Sequence, residues 1–591
     1  MEFYGTQPGR CRARATEEGN YGVFRDLRQP SRCPAEPGVS RPSDGAGRAG
    51  EARPPARQSG LLRSTAVFSA MTLLSRVSGL VRDQVYAHVF GAGAAMDAFF
   101  VAFRLPNFMR RLSAEGSFSM AFVPVLAEYR QTRDHAEVKE LVDRVAGTLA
   151  AALLVVTAAV LLLAPWIARL VAPEFAPEQQ RLLADLLRIT FPYALFISLA
   201  SLAGGILNTW RRFAIPALSP VLLNLSMIAA ALGLAPLMGG SVLALGWGVL
   251  AAGMLQLAFQ LPWLARLGLL PRPRWGAAHA GVRRIMTLMV PTLFGSSVVQ
   301  FNLLFNTWVA AFLAGGSVSW LYYSDRLLEF PLGMFGVAIG TVILPHLSSR
   351  HAATDPEGFS RGLDWGFRLC VLIGVPAALG LVVCAQPLIA TLFQYGRFDA
   401  LDARMSAWSL MAQSIAVPAF LLVKVLAPAF YSRQDTRTPV RAAVAAVLVN
   451  AACTAVLLGL LLYATDAGRA ALDAAGGRIG QALASLQGAH ALLALAIAIA
   501  GWTNALQLAW LLRRAGVYRR SPGWGRLLVQ VAVGAAGLLA VVLWLRGLWP
   551  DWDHWAWWER GWRLMALVGG GAVAYAGLLL LLGLRPRHLR A

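Results

Sequence analysis

The sequence predicts an all-α polytopic membrane protein of about 14 transmembrane helices. They form two six-helix lobes related by a pseudo-twofold axis along the membrane normal, plus two extra C-terminal helices. Three observations predict this. The 591 residues are 57% hydrophobic and only 14% charged, whereas a soluble domain is roughly 45–50% apolar and 25% charged. Apolar runs long enough to cross a 30 Å hydrocarbon core, about 20 helical residues each, recur along the whole chain. Three short patterns also repeat at nearly one offset. Together these exclude an ordinary soluble enzyme.

Residues 1–60 are rich in Arg, Gly, Pro, Ser and Glu and lack the apolar core of a signal peptide. They are expected to be a disordered cytoplasmic tail. A basic arm on anionic lipid, a dispensable extension and a misassigned start codon are its alternatives. The spans follow near 64–91, 96–127, 145–171, 182–208, 216–236, 241–264, 283–313, 317–348, 366–390, 403–431, 439–463, 489–513, 527–547 and 563–584. An even count places both termini on one side. Loops on that side carry about 25 Arg or Lys and the opposite loops about nine, so the termini are predicted to be cytoplasmic. This explains most of the net charge of +22 without nucleic acid.

The stretch Asn208–Pro216 matches Tyr431–Pro439, Phe122-Val-Pro124 matches Ile343-Leu-Pro345, and Arg104-Leu105 matches Arg326-Leu327, at offsets of 223, 221 and 222. Each half therefore holds six spans in the same orientation, with a cavity expected between them. The implied division is a tail over 1–60, an N-lobe over 61–265, a C-lobe over 266–515, and helices 13 and 14 with a cytoplasmic C-terminal tail over 516–591. The outer loop before the last span, Trp549 to Trp558, is dense in tryptophan and marks the headgroup level; a sugar-binding platform is the alternative.

Mid-membrane charge costs roughly 2.5–3.5 kcal/mol per residue on insertion scales, so a charge that persists there faces water or a partner. The first span carries Arg76, Arg82 and Asp83; the second carries Asp97, Arg104, Arg110, Arg111 and Glu115; the eighth carries Asp325, Arg326 and Glu329. Asp97, Arg104, Arg111 and Glu115 fall within about 40° of one another on a helix and form a polar stripe. Arg110 lies off it unless Pro106 kinks the helix. Arg76 and Arg82 are about 120° apart, which requires a break near Gly79 or different partners. Ion pairs stapling helices together would explain the carboxylates. The arginine surplus calls for an anion, and the guanidinium fork suits phosphate or pyrophosphate. The five cysteines form no cluster, and no GxxxxGK[ST], HExxH or hydrolase set appears. A primary pump or membrane enzyme is therefore disfavoured.

The stretches Ser75-Arg76-Val77-Ser-Gly79-Leu-Val-Arg82-Asp83, Gly91 to Asn107, Arg110-Arg111-Leu-Ser-Ala-Glu115-Gly116, Ala121-Phe-Val-Pro124, Ser319 to Pro331, Leu392-Phe-Gln-Tyr395-Gly396 and Leu426 to Asp435 resemble the MurJ (MviN) family of lipid II flippases. That family belongs to the multidrug/oligosaccharidyl-lipid/polysaccharide exporter superfamily, and the likeness runs from about residue 61 to the C-terminus. It implies a transporter, not an enzyme, that moves the undecaprenyl-pyrophosphate-linked peptidoglycan precursor from the inner to the outer leaflet of the bacterial cytoplasmic membrane by alternating access. Residues important in the family fall on Arg76, Arg82, Asp97, Arg110 and Arg326, with Arg104, Arg111, Glu115, Asp325 and Glu329 as secondary candidates. Implied partners are lipid II, membrane lipids and the divisome or elongation cell-wall machinery, without nucleic acid. No cofactor is expected beyond the membrane potential and a coupling ion, for which no ligand set is mapped. Departures from the family are residues 1–60 and a long Ala/Gly-rich outer loop over 464–488. The alternatives are a flippase for another polyprenyl-pyrophosphate glycan and a drug/cation antiporter of the same superfamily. A membrane scaffold would need no mid-membrane charge.

Overall fold

The structure, a computed structural model, describes residues 58–111 and 117–584. Fourteen helical rods follow the fourteen apolar runs. They are α1 (Gln58–Phe90), α2 in two segments (Ala94–Arg110 and Ser117–Thr132), α3 (His135–Val171), α4 (Pro177–Thr209), α5 (Ala214–Leu237), α6 (Leu243–Arg266) and α7 (Ala280–Ala310). The second half continues with α8 (Ser317–Ala352), α9 (Pro356–Val383), α10 in two segments (Ala400–Ser414 and Val417–Tyr431), α11 (Arg437–Ala464), α12 (Ala489–Arg514), α13 (Trp524–Leu548) and α14 (Trp557–Leu581).

Among the described residues, ten of these rods are long and apolar enough to cross a membrane, and α10, bent by 44°, makes an eleventh. Three further rods, α1, α2 and α7, are interrupted by polar residues. They carry Arg76, Arg82 and Asp83, then Asp97, Arg104 and Arg110, then Gln300, Asn302 and Asn306.

The repeat seen in the sequence extends to hydrogen bonds. Asp134 caps α3 by accepting from the Glu137 amide at 3.2 Å, and Asp355, 221 residues later, caps α9 by accepting from Gly358 at 2.8 Å. That Gly358 amide, with Arg350 beside it, holds the Asp355 carboxyl below the usual carboxylate range. The α4–α5 and α10–α11 turns share a left-handed residue, Arg211 and Gln434, both at φ 60. They share their closing bonds too: Arg212 N to Leu207 O at 2.8 Å and Asp435 N to Phe430 O at 3.0 Å.

One apolar core at the outer half draws on both lobes. Tyr86, Phe99, Leu183, Leu245, Val318, Tyr323, Ala407 and Leu493 all belong to it. At the inner half the core divides. Phe122, Leu141, Ile206 and Leu264 form an N-lobe cluster that also takes Val282 and Ile285 of α7. Ile343, Leu363, Val425 and Leu508 form a separate C-lobe cluster. The lobes are thus joined at their outer ends and, apart from the inner end of α7, which stays packed on the N-lobe, parted at their inner ends. The 464–488 stretch is not a bare loop. It folds into two short helices, Asp466–Ala474 and Ile479–Ser485, whose Leu472 and Leu483 join the outer core. The α13–α14 hairpin packs on α9, with Tyr575 donating to the Leu372 carbonyl at 2.8 Å.

This topology predicts single-cysteine labelling in a cysteine-free background. Gln481→Cys should react with a membrane-impermeant maleimide in intact spheroplasts, whereas Arg361→Cys should react only after permeabilisation. The reverse pattern would invert the orientation.

Candidate functional site

The charged residues of α1 and α8 meet midway between the lobes. On α1, Asp83 is completely buried. Its Oδ1 accepts from Arg82 Nε at 3.0 Å, Arg82 Nη2 at 2.7 Å and the Tyr322 hydroxyl at 2.9 Å. Its Oδ2 accepts from Nε of Arg326 on α8. One carboxylate therefore bridges two guanidinium groups, one from each lobe. Arg82 also donates to the Tyr322 hydroxyl at 2.9 Å, and to Asn224 Oδ1 of α5 at 3.1 Å. Asn224 in turn donates to Ser78 Oγ at 2.8 Å and the Ser75 carbonyl at 3.1 Å. Neutral side chains thus hold Arg82 from one side and Asp83 from the other, as a charge held in low dielectric requires.

The helix α1 runs unbroken through Gly79. This glycine serves close approach instead, because a Cβ there would lie 2.5 Å from Arg326 Nη2 and 3.5 Å from Asn224 Nδ2. Arg76, one and a half turns earlier, meets a different partner. Its guanidinium lies against Gly333, where a Cβ would come within 2.6 Å of Cζ. Gly333 sits in a π-turn of α8, Leu332–Gly336, just after Pro331, whose missing N–H breaks the regular ladder. The 120° between Arg76 and Arg82 is thus answered by different partners.

The remaining candidates are spread along the same two helices. Arg326 also reaches the exposed Glu329 at 3.1 Å. Arg104 stands 3.9 Å from Asp325, both partly exposed, a pair that contributes little to stability. Arg110 donates Nε to Asn107 of its own helix at 2.9 Å. Arg111 ends the first segment of α2, and Glu115 lies outside the described residues.

Asp97 is placed apart from the arginines, at the outer seam. Its Oδ2 accepts from the Gly316 amide at 2.7 Å, and its Oδ1 accepts from the Ser319 amide at 2.8 Å and the Ser319 hydroxyl at 2.5 Å. A carboxylate of α2 thereby caps the N-terminus of α8 across the lobes, satisfying amides that have no partner within their own helix. Asp97 and Ser319 are 222 residues apart, the repeat offset, so equivalent positions of the two halves touch here and the pseudo-twofold axis passes between α2 and α8. Next to this contact, Asp402 of α10 accepts from Trp320 Nε1 at 2.8 Å and the Ala92 amide at 3.3 Å. The Arg397 amide donates to the His88 carbonyl at 3.0 Å. Two glycines at positive φ permit this close join, Gly91 against Arg397 and Gly396 against His88. Below it, Phe100 stacks on Tyr322 at 3.9 Å, and Tyr323 meets Phe393 and Phe398, each at 5.0 Å. This aromatic plug separates the arginines from the outer face.

A family model described as "Lipid II flippase MurJ" matches residues 86–557. The chain belongs to the lipid II flippase MurJ family. A relative from Vibrio cholerae serotype O1, "Probable lipid II flippase MurJ", is 42% identical over 540 residues, covering 90% of this chain and 98% of its own. The "Lipid II flippase MurJ" of Burkholderia cenocepacia is 42% identical over 486 residues, covering 81% and 89%. Among solved structures, "Lipid II flippase MurJ, inward closed conformation" superposes with a TM-score of 0.69 at 23% identity, covering 87% of this chain and 98% of that one. An inward-facing multidrug resistance MATE family transporter of the MOP superfamily gives 0.57 at 14% identity, covering 76% and 99%. These two likenesses speak for the fold alone.

Within this MurJ family chain the sequence had marked Arg82 and Arg326, which the fold brings together. It had not singled out Tyr322 or Asn224, which carry no charge, nor given Asp83 a role. The detectable signal for Asn224 was an amide inside the apolar run 216–236. Asp97→Ala, which strips three donors of their acceptor, is expected to loosen the outer join. A cysteine at Ala92 should then react with an impermeant maleimide several-fold faster than in the Asp97 parent. Unchanged labelling would show that Asp97 does not hold the join.

Proposed function

We infer that this protein is the lipid II flippase of a bacterial inner membrane, a multi-pass transporter with both termini in the cytoplasm. The observation that carries this reading is the meeting of Arg82 and Arg326, one from each lobe, beneath a closed outer join and where the inner cores part. In the proposed cycle, the pyrophosphate enters from the inner side and is held between Arg82 and Arg326. Arg76 at the α8 π-turn and Arg110 on α2 complete the basic lining, and Arg104, Arg111, Asp325 and Glu329 keep the pathway wet. The disaccharide-peptide occupies the space between the lobes, and the polyprenyl tail stays in lipid along the α13–α14 hairpin. Rocking of the lobes then opens the Asp97 contact and releases the headgroup outside.

The membrane potential favours this direction, since moving one negative charge outward across 100 mV gains roughly 2.3 kcal/mol. A drug/cation antiporter needs carboxylates free to meet a cation, and the most buried ones here, Asp83 and Asp97, are saturated by donors. The product, outer-leaflet lipid II, is what the divisome or elongation machinery consumes, and contact with that machinery is part of this proposal.

Arg326→Ala should abolish complementation of a flippase-depleted strain at normal membrane levels, and lipid II should become inaccessible at the outer leaflet. Retained growth would remove Arg326 from the mechanism. Gly79→Val, which crowds Arg326, should impair complementation. Gly93→Val is expected to be tolerated, because nothing lies within 4 Å of a Cβ there.

A further inference from the structure

Asp83 is held by the same donors that a phosphate would use. Both its oxygens are engaged, Oδ1 by Arg82 and the Tyr322 hydroxyl and Oδ2 by Arg326. The two arginines are not equally fixed. Arg82 is buried, bonded to Asn224 and Tyr322, and lies 5.4 Å from the Tyr86 ring centre. Arg326 is partly exposed, its second ion pair is with the exposed Glu329, and its Nη2 rests in the notch at Gly79. A pyrophosphate arriving from the inner side therefore meets Arg326 first, and finds its Nε already committed to Asp83.

We propose that Asp83 is an internal stand-in for the pyrophosphate. It ties α1 to α8 in the empty protein, and substrate displaces it from Arg326. This rests on the reading above and assigns a regulatory role to that same site. In the empty state, one carboxylate keeps the buried Arg82 and the partly exposed Arg326 from repelling each other across the lobes. When the diphosphate binds, Arg326 changes partner. Asp83 stays with its neighbour Arg82 and the Tyr322 hydroxyl, and the direct ion pair between the lobes is broken. Occupancy of the site and the freedom of the lobes to move are then linked, because the substrate, unlike Asp83, is not part of α1. After release outside, Asp83 recaptures Arg326, so the empty carrier returns without a substitute anion.

The test uses the full-length protein in nanodiscs and a short-chain polyprenyl-pyrophosphate disaccharide-pentapeptide as the probe. Asp83→Asn removes the competing charge at nearly constant shape, and should tighten probe binding by about five- to tenfold while failing to complement. Tyr322→Phe, which removes one donor from Asp83, should shift affinity the same way by a smaller factor, and serves as the readout if Asp83→Asn does not fold. If Asp83 only positions the arginines, both variants bind more weakly, and that result, or unchanged affinity, overturns the proposal. Wild-type binding that is lost in Arg326→Ala but is not tightened in Asp83→Asn would overturn this proposal and leave the flippase reading standing. Wild-type protein that does not bind the probe would overturn both.

Discussion

The ion triad of Arg82, Asp83 and Arg326 is the interaction on which the rest of the architecture depends. A guanidinium inside a hydrocarbon slab must be answered by a counter-charge, a dense set of acceptors or water. Arg82 has all but the last: Asp83, the Asn224 amide oxygen and the Tyr322 hydroxyl surround it. Those partners come from α1, α5 and α8, so satisfying one charge fixes the relative placement of three helices and both lobes. The exposed half of the triad, Arg326, faces the inner side where the apolar core has divided. Burial and access are thereby assigned to different members of one cluster.

Pseudo-symmetry sets that cluster beside a neutral counterpart in the other lobe. Asn224 of α5 binds Ser78 and Arg82 of α1. In the second half, Asn450 of α11 binds Asn302 and Asn306 of α7 at 2.9 and 2.7 Å. The α7 residues sit 224 positions after their α1 counterparts, close to the 221–223 of the other repeats. The helix pairs and the polar contact are common to both lobes, but only the first half places an arginine there. A two-lobed carrier for an anion need not be symmetric in charge. In the proposed cycle, a single basic centre offset toward α1, reached by Arg326 from across the axis, would hold one diphosphate without setting two cationic sites against each other.

How much of this was legible in the sequence depended on which residues carried an energetic penalty. Apolar length is a strong signal, and runs such as 439–463 and 527–547 became Arg437–Ala464 and Trp524–Leu548. Arginine inside an apolar run is equally loud, and Arg82 and Arg326 stood out for that reason. Asp83 was muted by its neighbour, since an adjacent Arg-Asp pair reads as locally neutral, whereas its second oxygen crosses to the other lobe. Tyr322 and Asn224 could not be ranked, because an uncharged polar group in a helix becomes informative only once its partner is known. Asp97 was misleading in another way. Helical periodicity put it on a stripe with Arg104 and Arg111, but its partners are the amides that open α8, and periodicity says nothing about the end of another helix. The 464–488 stretch hid its short helices because Leu472 and Leu483 find apolar partners only in the folded chain.

The placement of Asp97 bears on how such a carrier can open without a prohibitive barrier. Separating the lobes at the outer end strips the α8 N-terminus of its capping carboxylate, which would be expensive if those amides stayed in a dry interior. They do not, because the contact lies at the outer ends of α2 and α8, where water replaces what Asp97 gives up. The aromatic plug beneath it is opposite in character. Phe100 on Tyr322 and Tyr323 against Phe393 and Phe398 resist parting through exposure of apolar surface, a cost that falls if a large polar headgroup fills the opening from below. An empty carrier has no such filling, and its triad is closed. A loaded one has both the plug wedged and Arg326 turned to the substrate, so the same two contacts that keep the empty protein shut to the outside are weakened together only when the headgroup is present.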